Sequence, residues 1–345
     1  METDDAVESA TQPARVAANR SSVRSRSTGA LGWASGLKEL NILLALIALC
    51  VFLSFTSPFF FRADNLLGVA RAFSLTAIAA IGQTTVIITG GIDLSVGSVL
   101  ALSGLSTGML LGDGWPLFPA VLVGLLVGAT FGVVNGLLIT KVGLPPFIAT
   151  LGTLSIGRGL VYILTKGYPV TVPRGQDTLI SIGQGYVGRI PIPVIIMIVI
   201  TIIGTIFLSQ STSGRYIYAV GGNEEAARLA GINVTRVKLT AYTLSGVLAA
   251  VAGIILLARL VSAQPSAGLG FELPVIAAAI IGGTSLLGGE GTVLGAVLGA
   301  AIIGVLENGM VLLGVNTYAQ QAVTGTVIIL AVALDIMQKR RRLRA

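Results

Sequence analysis

Residues 193–208 read PVIIMIVITIIGTIFL. The run carries no charge, and with its flanks it fills 191–209, close to the roughly 20 residues a helix needs to cross a hydrocarbon core. The pattern then breaks into AVGGNEEAARLAGI, residues 219–232, and resumes as TLSGVLAAVAGIILLA, residues 243–258. The rest of the chain shows how to read these runs. It is 345 residues long, 54% hydrophobic and 11% charged, with a mean hydropathy of +0.90. Soluble domains carry about 25% charged residues, and this chain has too few polar groups to cover so much apolar surface. It reads as an all-α, polytopic transmembrane helix bundle.

Working outward, apolar runs of crossing length fall at about 40–60, 68–90, 94–112, 116–140, 145–165, 191–209, 238–261, 273–288, 292–313 and 320–338, about ten spans in all. The net charge is +7, and its placement sets an orientation. Arg15, Arg20, Arg24, Arg26 and Lys38 precede the first run, and Lys339, Arg340, Arg341, Arg342 and Arg344 close the chain. Basic flanks stay on the cytoplasmic side, so both termini are expected there, together with Lys141 and the 210–237 segment. The basic clusters abut apolar spans, which favours a lipid bilayer over a nucleic acid as their neighbour. The organisation expected is a disordered tail over 1–38, a transmembrane domain over 39–338 with a cytoplasmic loop at 210–237, and a basic tail over 339–345. The first run reads as a retained span, and Asp335 and Lys339 are spaced to pair.

The chain has one cysteine, Cys50, and no histidine. No internal disulfide framework, transition-metal site or His-based catalytic centre is therefore expected.

Several spans carry glycines at four-residue spacing, the pattern that lets helix backbones approach closely in lipid. They are Gly124, Gly128, Gly132 and Gly136; Gly104, Gly108 and Gly112; and Gly295 with Gly299. Two stretches break the helical pattern at depth, TGGIDLSVGS at 89–98 and IGGTSLLGGEGT at 281–292. In each, paired glycines (Gly90 and Gly91; Gly282 and Gly283) end one helix, and Asp93, Ser95, Thr284 or Thr292 can cap the next. Gly288 and Gly289 extend the second break. Such backbone must be covered by protein or line a water-filled path, and the two breaks look like one device used twice.

The polar insert is a short helix. Asn223 suits an N-cap, Glu224 and Glu225 complement the helix dipole, Ala226 and Ala227 favour helix, and Gly231 suits a stop. About two turns cannot stand alone in water. Two readings remain open: a surface helix leaning on its own bundle, or a docking helix for a cytoplasmic partner.

The pattern Gly214, Arg215, Ala219, Gly221, Asn223, Ala226, Ala227, Gly231, Ile232 resembles the cytoplasmic coupling loop of ABC-transporter permeases of the ribose and simple-sugar import family. GGIDLSVGSVLALSG, from residue 90, and AAIIGGTSLLGGEGTVLGAVLGAAIIGVLENGMVLLGV, from residue 278, resemble two further blocks of that family. The resemblance spans roughly residues 40–338; the N-terminal tail departs from it. It implies a permease subunit of an ATP-driven importer in the plasma (cell inner) membrane, moving a ribose-like sugar. It also implies an ATP-binding subunit on the cytoplasmic side, an extracytoplasmic solute-binding protein, and a second permease copy in a homodimer. The coupling residues it marks are Gly214, Arg215, Gly221, Asn223, Glu224, Glu225, Ala226, Ala227 and Gly231. No G-x(4)-G-K-[ST] phosphate loop occurs, so no cofactor is expected in this chain; ATP belongs to the partner, and the chain is not expected to be an enzyme.

Charged groups in spans are costly and invite functional readings. Gln83, Asn135, Glu307 and Asn308 are candidates for the substrate path, although the amides could equally bridge helices. Asp93 reads as a helix cap at the inner interface, and Arg158 is expected to have an acidic partner. Sister permeases for nucleosides, autoinducer-type furanosyl compounds or branched-chain amino acids share the architecture, and a stand-alone secondary carrier is the rival of another class. The scarcity of intramembrane charge suits a neutral solute better than ion coupling.

Overall fold

The computed structural model describes the backbone of residues 27–344 and the side chains of 39–330 with a few beyond. It is helical almost throughout. In chain order the helices are α1 (Ser27–Thr56), α2 (Ala63–Ile88), α3 (Val96–Gly112), α4 (Leu117–Leu137, continued by a π-turn over Leu138–Val142), α5 (Pro146–Thr165), α6 (Asp177–Gln184), α7 (Ile192–Gln210), α8 (Thr212–Gly222), α9 (Glu224–Leu229), α10 (Val234–Leu260), α11 (Glu272–Ile281), α12 (Val293–Leu312) and α13 (Thr317–Arg344). Four two-residue strands lie in the loops. Val170–Thr171 pairs antiparallel with Ser262–Ala263, and Tyr186–Val187 with Ile190–Pro191.

A helix occupies each of the ten expected places. Among the described residues, seven are long and apolar enough to cross a membrane: Glu39–Thr56 of α1, α2, α4 with its π-turn, α5, α7, α10 and α12. The other three are α3, of 17 residues, α11, of 10 residues, and α13, whose side chains are described only in part. α11 stops at Ile281, short of the expected 288, because Gly283 turns the chain with φ +85°. The helical backbone of α1 begins at Ser27, inside the segment read as a tail; residues 1–26 lie outside the described part, as do the side chains of the Asp335–Lys339 pair and of the basic C-terminal run.

α10 is the axis of the bundle, with α4, α3 and α2 packed around it. The glycine stripe of α4 explains how they come so close. A Cβ on Gly128 would meet the Gly246 carbonyl, one on Gly132 the Tyr242 carbonyl, and one on Gly136 the Leu239 backbone, all on α10. A Cβ on Gly124 would strike Thr107 of α3. Gly246 returns the contact to Gly128, and Gly104 of α3 faces Gly253 of α10 in the same way. Gly295 and Gly299 of α12 likewise lie on Gly282 and Ala278 at the end of α11. Gly112 is the exception, with open space beside it. Removing Cβ atoms lets the backbones approach, so that dispersion replaces the hydrophobic effect lost in lipid.

Gly128→Val should therefore force α4 off α10 and destabilise the folded chain by about 1–3 kcal/mol or more. Gly152→Ala on α5, where nothing lies within 4 Å, should stay within about 0.5 kcal/mol. Thermal unfolding of both variants in detergent checks the contrast.

Candidate functional site

α9 begins at Asn223, whose Oδ1 accepts the Ala226 N–H at 2.9 Å. It stops at Gly231, φ +83°, where the Gly231 and Ile232 N–H groups return to the Arg228 and Ala227 carbonyls, each at 3.0 Å. Cap and stop are as expected, but α9 is only six residues long. The preceding α8 was not foreseen. Its signals were Ser211, whose Oγ accepts the Gly214 N–H at 2.9 Å, and the apolar pair Ile217 and Val220.

The same helix-ending turn closes both breaks. At the end of α2 the Gly90 and Gly91 N–H groups bond the Ile87 and Val86 carbonyls, at 2.9 and 3.2 Å. At the end of α11 the Gly283 and Thr284 N–H groups bond the Ile280 and Ala279 carbonyls, at 2.8 and 3.0 Å. Gly90 and Gly283 hold the left-handed position that each turn needs, φ +80° and +85°. The likeness read from the glycine pairs is thus a shared Schellman turn, offset by one residue: Gly90–Gly91 follow the cap position, whereas Gly282 occupies it. Thr292 caps α12, accepting the Gly295 N–H at 3.0 Å; the Thr284 hydroxyl is buried and makes no cap.

The breaks meet each other and α8. The Gly289 N–H donates to the Ile88 carbonyl at 2.9 Å. A Cβ on Gly221 would land on that same carbonyl, so the last turn of α8 lies directly against the end of α2. Tyr218 of α8 donates its hydroxyl to the Gly291 carbonyl at 2.7 Å. Burial pushes the Tyr218 phenol above its ordinary pKa, with Glu39 adding to the shift, so it remains a donor at neutral pH. Beneath this junction Ile217, Val220 and Ala227 join Ile81, Ile88, Leu208, Val237 and Val293 in one apolar cluster.

The expected coupling residues therefore divide. Ala227 is 5% exposed and belongs to the chain's own core. Glu224 is bound by Arg228 at 3.0 Å and Lys238 at 2.7 Å. Arg215 donates to the Gln210 carbonyl and to Thr212 Oγ1, both at 3.0 Å, and Gly214 makes room for the Phe207 and Leu208 carbonyls at the α7–α8 corner. The face left open carries Glu225, Ala226, Leu229 and Ala230. Leu229, which the sequence marks only as a helix former, is 85% exposed.

Gln83 and Asn135 occupy a second site, a buried polar node. Asp93 is 1% exposed, and the N-cap position of α3 falls to Ser95. Its Oδ1 accepts the Ser95 N–H at 2.9 Å and hydroxyl at 2.6 Å, and its Oδ2 accepts from Ser245 at 2.9 Å. The Gln83 amide, oriented to satisfy both groups, pairs with the Asp93 N–H and C=O at 3.1 Å each. Asn135 donates to Ser95 Oγ at 2.9 Å and accepts from Thr153 at 2.7 Å. Asn135 thus joins α4 to α5 and to the 89–95 break, and Gln83 ties α2 to the break that follows it. Arg158 hydrogen-bonds two carbonyls, Pro265 at 3.1 Å and Ala267 at 2.7 Å, and the acid whose charge it feels is Glu272 at the start of α11. Glu307 and Asn308 lie elsewhere, on a cavity of about 730 Å³ near the other end of α12.

The model of a family described as "Branched-chain amino acid transport system / permease component" matches residues 65–332. The chain belongs to this family. It is 44% identical to the ribose import permease of Haemophilus influenzae over 301 residues, which is 87% of this chain and 93% of that one. It is 45% identical to the ribose import permease of Bacillus subtilis over 300 residues, again 87% and 93%. It is 40% identical to the D-allose transport permease of Escherichia coli over 290 residues, 84% and 88%. With seven apolar helices of crossing length, the permease is a multi-pass inner-membrane protein.

Gly221→Ala should break the junction and lower the thermal midpoint in detergent by the equivalent of about 1–3 kcal/mol. Gly222→Ala, one residue on with nothing within 4 Å, should leave it within about 0.5 kcal/mol.

Proposed function

We propose that the chain is the membrane-spanning subunit of an ATP-driven importer of a simple, ribose-like sugar. The supporting observation is its 40–45% identity, over nearly the full length, to ribose and allose permeases. The family's description names branched-chain amino acids, but these relatives move sugars, and the few charged side chains in the spans suit a neutral solute. In this reading α3, α11 and α13 also cross. Ten crossings place both termini on the cytoplasmic side with α8 and α9, where the positive residues gather. The chain carries out no chemistry; ATP is bound by a separate subunit, a solute-binding protein delivers sugar on the far side, and a second permease copy completes the path.

The open face of α9 is the ATPase contact. Its buried face cannot reach a partner, so Ala227 and Glu224 hold the helix in place while Glu225 and Leu229 make the contact. Force on α9 then passes through Gly221 to the ends of α2 and of the 282–292 loop, because no slack separates them. The exposed leucine is the anchor, a large apolar side chain that a partner's groove would desolvate.

In the assembled importer, Leu229→Glu should cut sugar uptake and sugar-stimulated ATP hydrolysis about tenfold or more while leaving the thermal midpoint of the isolated permease unchanged. Ala227→Trp should lower that midpoint. Wild-type uptake by Leu229→Glu would remove α9 from the ATPase contact.

A further inference from the structure

At the end of the bundle away from α9, the cavity of about 730 Å³ lies between the start of α2, the 268–274 segment, α12 and α13. Its size falls within the roughly 300–1,000 Å³ of small-molecule sites. Glu307 lines it, exposed although it lies within a crossing helix, and makes no ion pair or hydrogen bond among the described residues. A carboxylate left unpaired in lipid is costly, so Glu307 needs a polar space to open into. Its neighbour Asn308 is held by a reciprocal amide pair with Asn65, at 3.0 and 2.9 Å, which locks α12 to α2 at this level.

The opposite wall shows the same design. α13 presents Gln320, Gln321 and Thr324 to the cavity, polar residues at helical spacing along one face. Gln320 is engaged with the Val315 carbonyl at 2.8 Å, whereas the exposed Gln321 makes no hydrogen bond among the described residues. Phe271 adds an aromatic side chain. Among the described residues no lysine or arginine lines the space.

We propose that this cavity is the solute-entry vestibule of the permease and that Glu307 sets its specificity, admitting neutral polyols and excluding solutes that carry a carboxylate. The inference rests on the importer reading and names the solute class for this site. A carboxylate accepts two sugar hydroxyls in charge-assisted hydrogen bonds, and a free amide both donates and accepts. An α-amino acid would need a cation for its own carboxylate; it meets only the negative Glu307, a like-charge contact that discriminates against it.

The test uses the complete importer in proteoliposomes with radiolabelled D-ribose and D-allose. Glu307→Gln and Gln321→Ala should each lower uptake about tenfold, the loss of a charge-assisted or a polar contact, while ATP hydrolysis stimulated by the sugar-loaded binding protein stays within about twofold. In a Cys50→Ser background, Gln321→Cys should react with a membrane-impermeant thiol reagent added outside, and the reaction should block uptake. Normal uptake by Glu307→Gln, or no labelling of the introduced cysteine, overturns the vestibule and leaves the importer standing. A wild-type complex that moves neither sugar overturns the sugar-importer reading itself. Because Gln321 is exposed and unbonded, its variants remain informative even if Glu307→Gln fails to assemble.

Discussion

The Ile88 carbonyl is the point on which the α9 end of the bundle depends. α2 ends there, and the last carbonyls of any helix lack an intrahelical partner. In water the solvent would satisfy them; at the edge of a membrane the protein must. The Gly289 N–H, from the break two hundred residues along the chain, donates to Ile88 at 2.9 Å. Gly221 lies against the same oxygen so closely that no Cβ fits. One acceptor therefore fixes the end of α2, the loop before α12 and the last turn of α8 relative to one another. The positive φ of Gly288 and Gly289 lets that loop reach in, and the Tyr218–Gly291 bond at 2.7 Å closes the ring from the other side.

Much of this was legible in the sequence wherever the cause was local. The run at 193–208, the Asn223 cap, the Gly231 stop and the two glycine breaks all rest on residues near in sequence, and each took the form expected of it. The glycine stripe on α4 could be read as a contact face because its spacing is a property of one helix. Its partner could not, because nothing in α4 says that Gly246 and Tyr242 of α10 lie opposite. The early end of α11 hinged on which of two adjacent glycines would take the left-handed turn, and that offset depends on the packing of Gly282 against Gly295.

The candidate site was less legible, for a related reason. A motif names residues without saying which way they face. Asn223, Glu224, Glu225, Ala226 and Ala227 read as one block, yet a helix turns 100° per residue, and the core takes Ala227 while Lys238, fourteen positions on, takes Glu224. What is left open is set by Leu229, a residue with no polar signal to draw attention. Gln83 and Asn135 were suspected because amides in spans are rare. Their partners, the Asp93 backbone, Ser95 and Thr153, lie on other elements, so the choice between path and bridge needed coordinates. The same holds for Arg158, whose charge suggested an acid: Glu272 is that acid, yet the hydrogen bonds go to the carbonyls of Pro265 and Ala267.

The two ends of the bundle differ in a way that bears on movement. At the α9 end, backbone meets backbone through glycines, and close-packed contacts shift as bodies rather than deform. Displacing α8 there must displace Ile88 and Gly289 with it. At the far end a space of about 730 Å³ lies between α12 and α13, while α12 stays packed on α2 and α1 through Gly304 against Phe73, Gly309 against Leu53 and the Asn65–Asn308 amide pair. α2 and α12 both run from the tight junction to the wall of this space, so continuous helix joins the two ends of the bundle. The buried node of Asp93, Ser95, Asn135 and Ser245 adjoins that path, since Gln83 of α2 pairs with the Asp93 backbone, and it ties the 89–95 break to α4 and α10.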